Sequence, residues 1–262
     1  MPENSRLRGL PRVNVLGVGV HAIDMGRALE VFQRTVEQRR KGYVCVTGVL
    51  GIMEAQKDPE FRTILNRSLL TTPDGVPTVW VGRWQGYPQM KRVFGPDLML
   101  EVCALSLAKG YTHFLYGGAG GVAEQLKASL LRKFPGLRIV GTYTPPFRPL
   151  NEAEKKNLCA QVSAVKPDIF WVGLSTPKQE RFMAEYLSLL ETRVMVGVGA
   201  AFDVHTGRIQ DAPDWMKNAG LQWLHRLGQE PRRLWKRYLY NNPLFVFKMT
   251  SQILGLSKYD PV

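Results

Sequence analysis

Short apolar runs alternate with amphipathic stretches along roughly the first 200 residues of the chain. The apolar runs are rich in valine, isoleucine and phenylalanine, which is typical of buried strands. In the stretches between them apolar residues recur at helical spacing, which predicts helices with one buried face. Strand and helix in alternation favour a parallel sheet, so the sequence predicts an α/β protein whose sheet is covered by helices.

The predicted elements follow this alternation. Strands are predicted at residues 13–20, 43–49, 112–116, 137–142, 168–174 and 193–199. Helices are predicted at residues 25–40, 51–55, 59–66, 76–84, 96–109, 122–134 and 151–165. Pro96 at a first helical position and Asn151 at a cap position mark where two of these helices begin.

One carboxylate stands in a turn between apolar stretches. Residues 70–77 read Leu-Thr-Thr-Pro-Asp-Gly-Val-Pro. Pro73 fixes φ before Asp74, and Gly75 permits a tight or left-handed backbone after it. A carboxylate held in this way can act as a general base, although a plain Pro-Asp-Gly turn is a common alternative.

Polar or glycine-rich features follow several predicted strands. They are Thr47, Asp74, the loop 117–121, Gln179 and Asp203. Ligands of parallel sheets bind at the carboxyl ends of the strands, so these features predict a binding site along one edge of the sheet. The loop 117–121 also fits a phosphate loop, but it lacks the Gly-Lys-Ser/Thr of a P-loop, and close helix–strand packing explains its glycines equally well.

The chain changes character after Gly207, where strand signals end. Residues 221–262 carry seven basic and two acidic residues, a net charge of +5, interleaved with tryptophan, tyrosine, phenylalanine and leucine. Two or three helices are predicted here. Such helices suit an anionic membrane surface, which Phe245 and Phe247 are expected to meet. In the alternative the aromatic residues pack on the core and the arginines are solvated.

Charge and cysteine usage narrow the class of protein. The formal net charge of +13 indicates an anionic partner, such as nucleic acid, a phosphorylated substrate or an acidic membrane. The three cysteines, Cys45, Cys103 and Cys159, are widely spaced among apolar residues, which favours reduced thiols over disulfides or zinc. Residues 1–12 contain no apolar run typical of a signal peptide, and no stretch is as apolar as a membrane span.

Two rival classes are weakened by missing motifs. A dinucleotide-binding enzyme would need a third glycine after Gly17 and Gly19, and an acidic residue about 20 positions beyond the loop 117–121, where Thr142 stands. A nucleic-acid-binding protein would be expected to carry a helix-turn-helix, RNP or zinc pattern, and none is visible.

Six short motifs occur in one order along the chain. They are Thr-Pro-Asp-Gly (72–75), Gly-Pro-Asp-Leu-Met (95–99), Gly-Gly-Ala-Gly-Gly-Val (117–122), Pro-Lys-Gln-Glu (177–180), Gly-Ala-Ala-Phe-Asp (199–203) and Arg-Leu-Gly-Gln-Glu-Pro-Arg-Arg-Leu-Trp-Lys-Arg-Tyr (226–238). In this the chain resembles the WecG/TagA/CpsF family of bacterial glycosyltransferases from about residue 13 to residue 247.

The resemblance implies a Rossmann-like catalytic domain at residues 1–206 and a helical appendage at residues 207–262, for membrane association and active-site closure. It implies inverting transfer of a sugar, N-acetylmannosamine or a related hexose, from a UDP-sugar to an undecaprenyl-diphosphate-linked saccharide. The product would belong to cell-surface polysaccharide. The expected location is cytoplasmic, on the inner face of the membrane, with no nucleic-acid partner; homo-oligomerisation is left open.

The resemblance also implies roles for individual residues. Asp74 would be the base, with Thr47 beside it. The UDP-sugar would be bound by Arg92, Asp97, Gly117, Gly118, Gln179, Gly199 and Asp203. The acceptor diphosphate would be bound by Arg226, Arg233, Lys236 and Arg237. Two departures from the family pattern, Val49 and Pro145-Pro146, concern the identity of the sugar more than the reaction type.

The chemistry of such a transfer agrees with these roles. One carboxylate must deprotonate the acceptor hydroxyl, and cationic or dipolar groups must stabilise the departing diphosphate. The sequence has no Asp-x-Asp, the usual metal clamp for UDP. Arginines and helix N-termini can take that charge instead, so we expect activity without a metal or cofactor.

Overall fold

A computed structural model describes residues 9–260. Its strands are β1 (Arg12–Val15), β2 (Val18–His21), β3 (Gly42–Thr47), β4 (Leu70–Pro73), β5 (Thr112–Gly117), β6 (Arg138–Tyr143), β7 (Ile169–Gly173) and β8 (Val194–Gly197). Its helices are α1 (Met25–Glu37), α2 (Val49–Lys57), α3 (Pro59–Arg67), α4 (Val76–Trp84), α5 (Gly95–Lys109), α6 (Val122–Lys133), α7 (Glu152–Val165), α8 (Lys178–Tyr186), α9 (Ala201–His205), α10 (Asp214–Asn218), α11 (Gln222–Gln229) and α12 (Pro231–Ile253).

The main sheet has six strands in the order β4-β3-β8-β7-β5-β6. The pairs β3–β8, β8–β7, β7–β5 and β5–β6 are parallel. Every residue of β3, β5 and β8 is buried, as expected for parallel strands covered on both faces. The predicted α/β fold with a parallel sheet is therefore confirmed.

The first predicted strand, residues 13–20, is a hairpin instead. β1 and β2 pair antiparallel, with Arg12 opposite His21. Leu16 and Gly17 form the turn with φ angles of 53° and 81°. Positive φ at both central residues is the geometry of a type I′ hairpin turn, which glycine and asparagine favour. Leucine at the first of these positions is why the sequence pattern concealed the turn.

Two compact units make up the described chain. The first contains the chain up to Met25, the segment Val46–Phe94 and the segment from Gln210 onward; the second contains Gly26–Cys45 and Gly95–Ile209. We call them the turn unit, which carries Asp74, and the loop unit, which carries the loop 117–121. A division into a catalytic domain and an appendage at residue 207 stays a prediction.

In the turn unit the C-terminal helices are packed against other elements rather than forming a separate tail. α12 packs against α2 and buries Leu234, Phe245 and Met249. The amide of Gln252, near its end, accepts from Leu16 N at 2.9 Å and donates to Asn14 O at 2.9 Å on the hairpin. Polar and apolar contacts thus fix both halves of α12.

Burial on α12 corrects one expectation. Phe247 is 72% exposed, whereas Phe245 is 5% exposed and belongs to the core. The two side chains point to opposite sides because residues two apart on an α-helix differ by about 200°. Phe245 therefore cannot meet a membrane as expected. Within residues 9–260, no helix has the length and apolar character needed to cross a bilayer.

The loop unit has an aromatic core around the sheet. Tyr116 stacks on Phe182 with ring centroids 4.4 Å apart, and Phe114 stacks on Phe170 at 5.1 Å. The predicted cap at Asn151 is a complete capping box with Glu154, which fixes the start of α7. This rigid core positions the loops that follow β5, β7 and β8.

Candidate functional site

Asp74 follows β4 directly and lies beside the end of β3. Its backbone N–H donates to Thr47 O at 3.2 Å. A Cβ built on Gly48 would lie 3.5 Å from Asp74 Oδ2, so the carboxylate stands over the bare backbone of Gly48. Asp74 is half-buried and Thr47 is buried. The structure thus brings together the two residues predicted to be catalytic.

Gly75 serves the turn differently from the prediction. Its φ and ψ are −99° and 143°, an extended conformation that any residue can adopt. It caps α4, and a Cβ there would lie 3.8 Å from Gly48 Cα. Gly48 and Gly75 therefore lie close together beside Asp74.

Arg92 braces the Asp74 turn from the protein side. Its Nε donates to Asp74 O at 2.5 Å, and its Nη2 donates to Gln222 Oε1. The guanidinium also lies over the ring of Phe94, with Cζ 4.0 Å from the centroid. Arg92 was predicted to contact the UDP-sugar, and that role stays a prediction; one of its N–H groups donates to the turn and another to Gln222.

Three of the predicted diphosphate ligands lie together on α11 and α12. Glu230 Oε2 is 3.6 Å from Arg226 Nη2 and 2.6 Å from Arg233 Nη2. Burial lowers the pKa of the Arg237 guanidinium below its ordinary value, and the charges of Arg226 and Arg233 lower it further, although Tyr238 and Glu54 act in the opposite direction. We call Arg226, Arg233 and Arg237 the arginine cluster.

The arginine cluster has buried donors that the protein does not satisfy. Nε of Arg226 and Nε of Arg237 are buried without a hydrogen-bond partner among residues 9–260. Buried cationic donors without partners are costly, and an anion would satisfy them. Lys236, the fourth predicted ligand, is exposed, and its Nζ lies 5.5 Å from the Trp235 ring centroid.

Gln179 is a buried and closely packed polar side chain of the loop unit. It is 3% exposed, and its amide lies against Gly197 and Gly199, where an added Cβ would approach it to 3.0 and 3.4 Å. Its Nε2 donates to Glu180 Oε1 at 3.1 Å, and the same oxygen accepts from Thr176 Oγ1 at 2.8 Å. Its Oε1 is buried without a partner in the described chain. Glu180 therefore orients the amide and leaves an acceptor for a ligand donor.

The glycine-rich loop after β5 is closely packed. Gly117 and Gly118 have φ angles of 128° and 76°. A Cβ on Gly117 would lie 2.7 Å from Gly173 O, and one on Gly118 would lie 2.7 Å from Val122 Cβ. The packing explanation therefore holds at both positions, and their contact with a nucleotide stays a prediction.

The other predicted ligands of the loop unit lie on α5 and α9. Asp203 is half-buried in α9, and its backbone oxygen accepts from Arg208 N at 2.9 Å. Asp97 is exposed in the first turn of α5. These two helices meet where His205 Nε2 lies 3.0 Å from Pro96 O.

Residues 9–260 contain no disulfide and no group of metal-ligating side chains. Cys45, Cys103 and Cys159 form no disulfide with one another. Burial raises the pKa of Cys103 to about 12, which makes that thiol unreactive. Within residues 9–260, no three His, Cys, Asp or Glu side chains are grouped as metal ligands would be.

Sequence reasoning missed several residues that organise the site. Gln222 and Asp211 support Arg92, and Glu230 joins two arginines. Gln222 and Asp211 lie outside the six motifs, so no pattern marked them. Glu230 and Glu180 stand inside motifs, next to predicted ligands, and that position was an available signal.

Comparison of the sequence with known proteins points to one family. The model of the glycosyl transferase WecG/TagA/CpsF family matches residues 13–259. A protein of Bacillus spizizenii named N-acetylglucosaminyldiphosphoundecaprenol N-acetyl-beta-D-mannosaminyltransferase is 31% identical over 208 residues, 79% of each chain. A Bacillus subtilis protein of the same name is 31% identical over 186 residues, 71% of this chain and 70% of its own. The chain therefore belongs to the WecG/TagA/CpsF family of glycosyltransferases.

Proposed function

We propose that this glycosyltransferase transfers a hexosyl group, of the N-acetylmannosamine type, from a UDP-sugar to a saccharide linked to undecaprenyl diphosphate, with inversion. The names of the two Bacillus relatives support the lipid-diphosphate acceptor and the N-acetylmannosaminyl group. The product would enter cell-surface polysaccharide. The donor nucleotide and the stereochemistry rest on the site chemistry that follows.

One observation carries the proposal: a half-buried carboxylate directly follows a strand end, beside the end of the neighbouring strand. Asp74 N donates to Thr47 O at 3.2 Å, and Asp74 Oδ2 lies 3.5 Å from where a Cβ on Gly48 would stand. A carboxylate in such a position can accept a proton as a new bond forms.

In the proposed reaction the acceptor hydroxyl oxygen attacks the anomeric carbon of the donor sugar. The bond from that carbon to the diphosphate oxygen breaks, and UDP leaves with the electron pair. The hydroxyl proton passes to the Asp74 carboxylate and then to solvent. Because attack comes from the side opposite to UDP, the anomeric configuration is inverted.

The loop unit supplies groups suited to the nucleotide. The buried Oε1 of Gln179 lacks a partner in the described chain, and the imide N–H of uracil is a donor that would satisfy it. The carboxylate of Asp203 suits a ribose hydroxyl. Gly117 and Gly118 precede the N-terminus of α6, where backbone N–H groups favour phosphate.

The arginine cluster supplies groups suited to a diphosphate. Guanidinium groups bind phosphate oxygens in bidentate geometry, and buried Nε donors on Arg226 and Arg237 await such an acceptor. Arginines that carry this charge make a divalent metal unnecessary, so we propose metal-independent transfer. The exposed apolar and basic residues of α12 suit a peripheral position on the inner face of the membrane.

A donor screen tests the proposal. The full chain is incubated with a short-chain polyprenyl-diphosphate N-acetylglucosamine acceptor and UDP-N-acetylmannosamine, UDP-N-acetylglucosamine or UDP-glucose. UDP release and the anomeric configuration of the product, by NMR, are measured. We expect acceptor-dependent UDP release and an inverted product. A retained configuration, or no acceptor-dependent UDP release from any of the three donors, would overturn the proposal.

A further inference from the structure

A chain of polar contacts runs from the Asp74 turn to the start of the appendage. Arg92 Nε donates to Asp74 O at 2.5 Å, and Arg92 Nη2 donates to Gln222 Oε1. Gln222 Nε2 in turn donates to Asp211 Oδ1 at 3.0 Å. Lys217 Nζ lies 3.1 Å from Asp211 Oδ2 and closes the chain. All these residues belong to the turn unit.

Each contact in this chain is directional and partly protected from water. Arg92, Gln222, Asp211 and Lys217 are all half-buried. Asp211 Oδ1 also accepts from Ala212 N at 2.8 Å, which fixes its carboxylate. The hydrogen bond from Lys217 to Asp214 raises the pKa of the Lys217 amine, which also pairs with Asp211. Gln222 is therefore held at both ends of its amide, with no freedom to turn over.

The same segment also touches α4 directly. Gly220 has a φ of 73°, and a Cβ built there would lie 3.5 Å from Val76 Cβ and 3.6 Å from Trp80 Cη2. Val76 is the first residue of α4, two positions after Asp74. The segment 211–222 thus meets the turn on its carbonyl side through Arg92 and on its helix side at Gly220.

We propose that Gln222 is a positioning residue for Asp74. By holding the Arg92 guanidinium, it fixes the carbonyl of Asp74 and hence the direction in which the carboxylate points. Catalysis is sensitive to such placement, since a misplacement of about 1 Å can cost on the order of 10²-fold in rate. This inference rests on the proposed role of Asp74 as the base.

The chain offers a matched control on the same helix. Gln229 stands seven residues after Gln222 on α11. Its Oε1 accepts from Gln210 N at 3.0 Å, and its Nε2 donates to Gln210 O at 2.9 Å. Gln229 therefore ties α11 to the segment before it, as Gln222 does, but its hydrogen bonds with Gln210 do not lead to Asp74. Loss of Gln229 reports what a merely structural bond is worth.

Two variants of the full chain test the proposal. Gln222→Ala removes the contact with Arg92, and Gln229→Ala removes the control contacts. Hydrogen–deuterium exchange of peptides covering residues 70–80 is measured together with kcat and both KM values.

We expect Gln222→Ala to raise exchange in residues 70–80 and to lower kcat about tenfold or more, with both KM values within about twofold. Gln229→Ala should change neither quantity. Unchanged exchange in Gln222→Ala would overturn the inference, and so would raised exchange with full kcat. If the wild type transfers no sugar, the proposed function fails, whereas the exchange measurement still decides whether Gln222 holds the turn.

Discussion

The carboxylate of Asp74 lies over Gly48, with Oδ2 3.5 Å from where a Gly48 Cβ would stand. Gly48 has φ −105° and ψ −168°, so its backbone does not require glycine. Asp74 is only half-buried and directly follows the end of β4. A carboxylate in this position agrees with the proposed role of Asp74 as the base.

Asp74→Asn tests this assignment. The amide keeps the shape of the side chain but cannot take a proton, so we expect kcat to fall about 10²–10⁴-fold. UDP binding, followed by calorimetry, should stay within a few-fold. Asp58→Asn is the control, since Asp58 caps α3 by accepting from Phe61 N, and asparagine caps equally well. A full kcat in Asp74→Asn would reduce Asp74 to a turn residue.

Replacing an arginine of the arginine cluster should lower activity without lowering stability. Arg237→Gln should weaken kcat/KM for the lipid-diphosphate acceptor about 10-fold or more, because a charge-assisted bond is lost. Burial and neighbouring arginines already lower the pKa of Arg237, so removing its charge should not lower the melting temperature. The matched control is Arg232→Gln, which changes an exposed arginine five residues earlier on α12. Equal losses in the two variants would contradict a specific diphosphate site.

Much of the fold follows from the sequence because burial and strand order leave a strong pattern. Continuous apolar runs mark the buried parallel strands, and the Asn151 cap fixes where α7 begins. The hairpin escaped notice because its turn places Leu16 at a positive φ, where leucine is rare. Such a turn depends on contacts elsewhere, including the bond from Leu16 N to Gln252 Oε1.

The relative positions of the site residues could be predicted from the sequence only where the order of the strands determines them. Thr47 and Asp74 could be placed together because adjacent strand ends share one edge of a sheet. The support of Arg92 by Gln222 joins residues 130 positions apart, and no periodicity reports such a contact. The burial of Phe245 could not be predicted either, since it depends on which side of α12 faces the rest of the turn unit.

The proposed chemistry predicts that transfer does not require a divalent metal. If arginines and helix N-termini carry the diphosphate charge, turnover in millimolar EDTA should equal turnover in added Mg²⁺ or Mn²⁺. Initial rates of UDP release, after dialysis against chelator, measure this. Activity that EDTA abolishes and Mg²⁺ restores would require a metal on the diphosphate.

The buried side chain of His113 should make the free energy of unfolding depend on pH. Burial lowers its pKa from 6.5 to about 4, although Asp168 opposes this, and its Nδ1 accepts from Trp171 Nε1 at 2.9 Å. Below pH 6.5 the unfolded chain takes up a proton that the folded chain refuses, so this stability is lost as pH falls from 6.5 towards 4. The free energy of unfolding should drop by up to about 1.4 kcal/mol per pH unit from this group.

Denaturant unfolding between pH 7 and pH 5 measures that slope. His113→Asn keeps an acceptor near the Nδ1 position but cannot titrate, so its stability should fall less steeply with pH than that of the wild type. The comparison uses slopes because the substitution itself lowers stability by leaving a small cavity. Parallel slopes for the two proteins would show that His113 does not contribute to the pH dependence.

The last prediction concerns the exposed side of α12. Leu239 is 63% and Phe247 72% exposed, and the basic residues around them favour an anionic bilayer. Leu239→Ser with Phe247→Ser should weaken binding to phosphatidylglycerol vesicles about tenfold or more, since each apolar side chain contributes roughly 1.5–3 kcal/mol when buried. Leu189→Ser, at a 53% exposed leucine of the loop unit, should leave binding unchanged.

Wild-type binding should also fall with salt, because each basic residue near the surface contributes about 1 kcal/mol. Turnover of a soluble short-chain acceptor should remain within twofold in the double variant, since both side chains are exposed and neither is a predicted ligand. Vesicle binding that survives both changes would mean that another surface holds this enzyme at the membrane, and α12 would then serve the site alone.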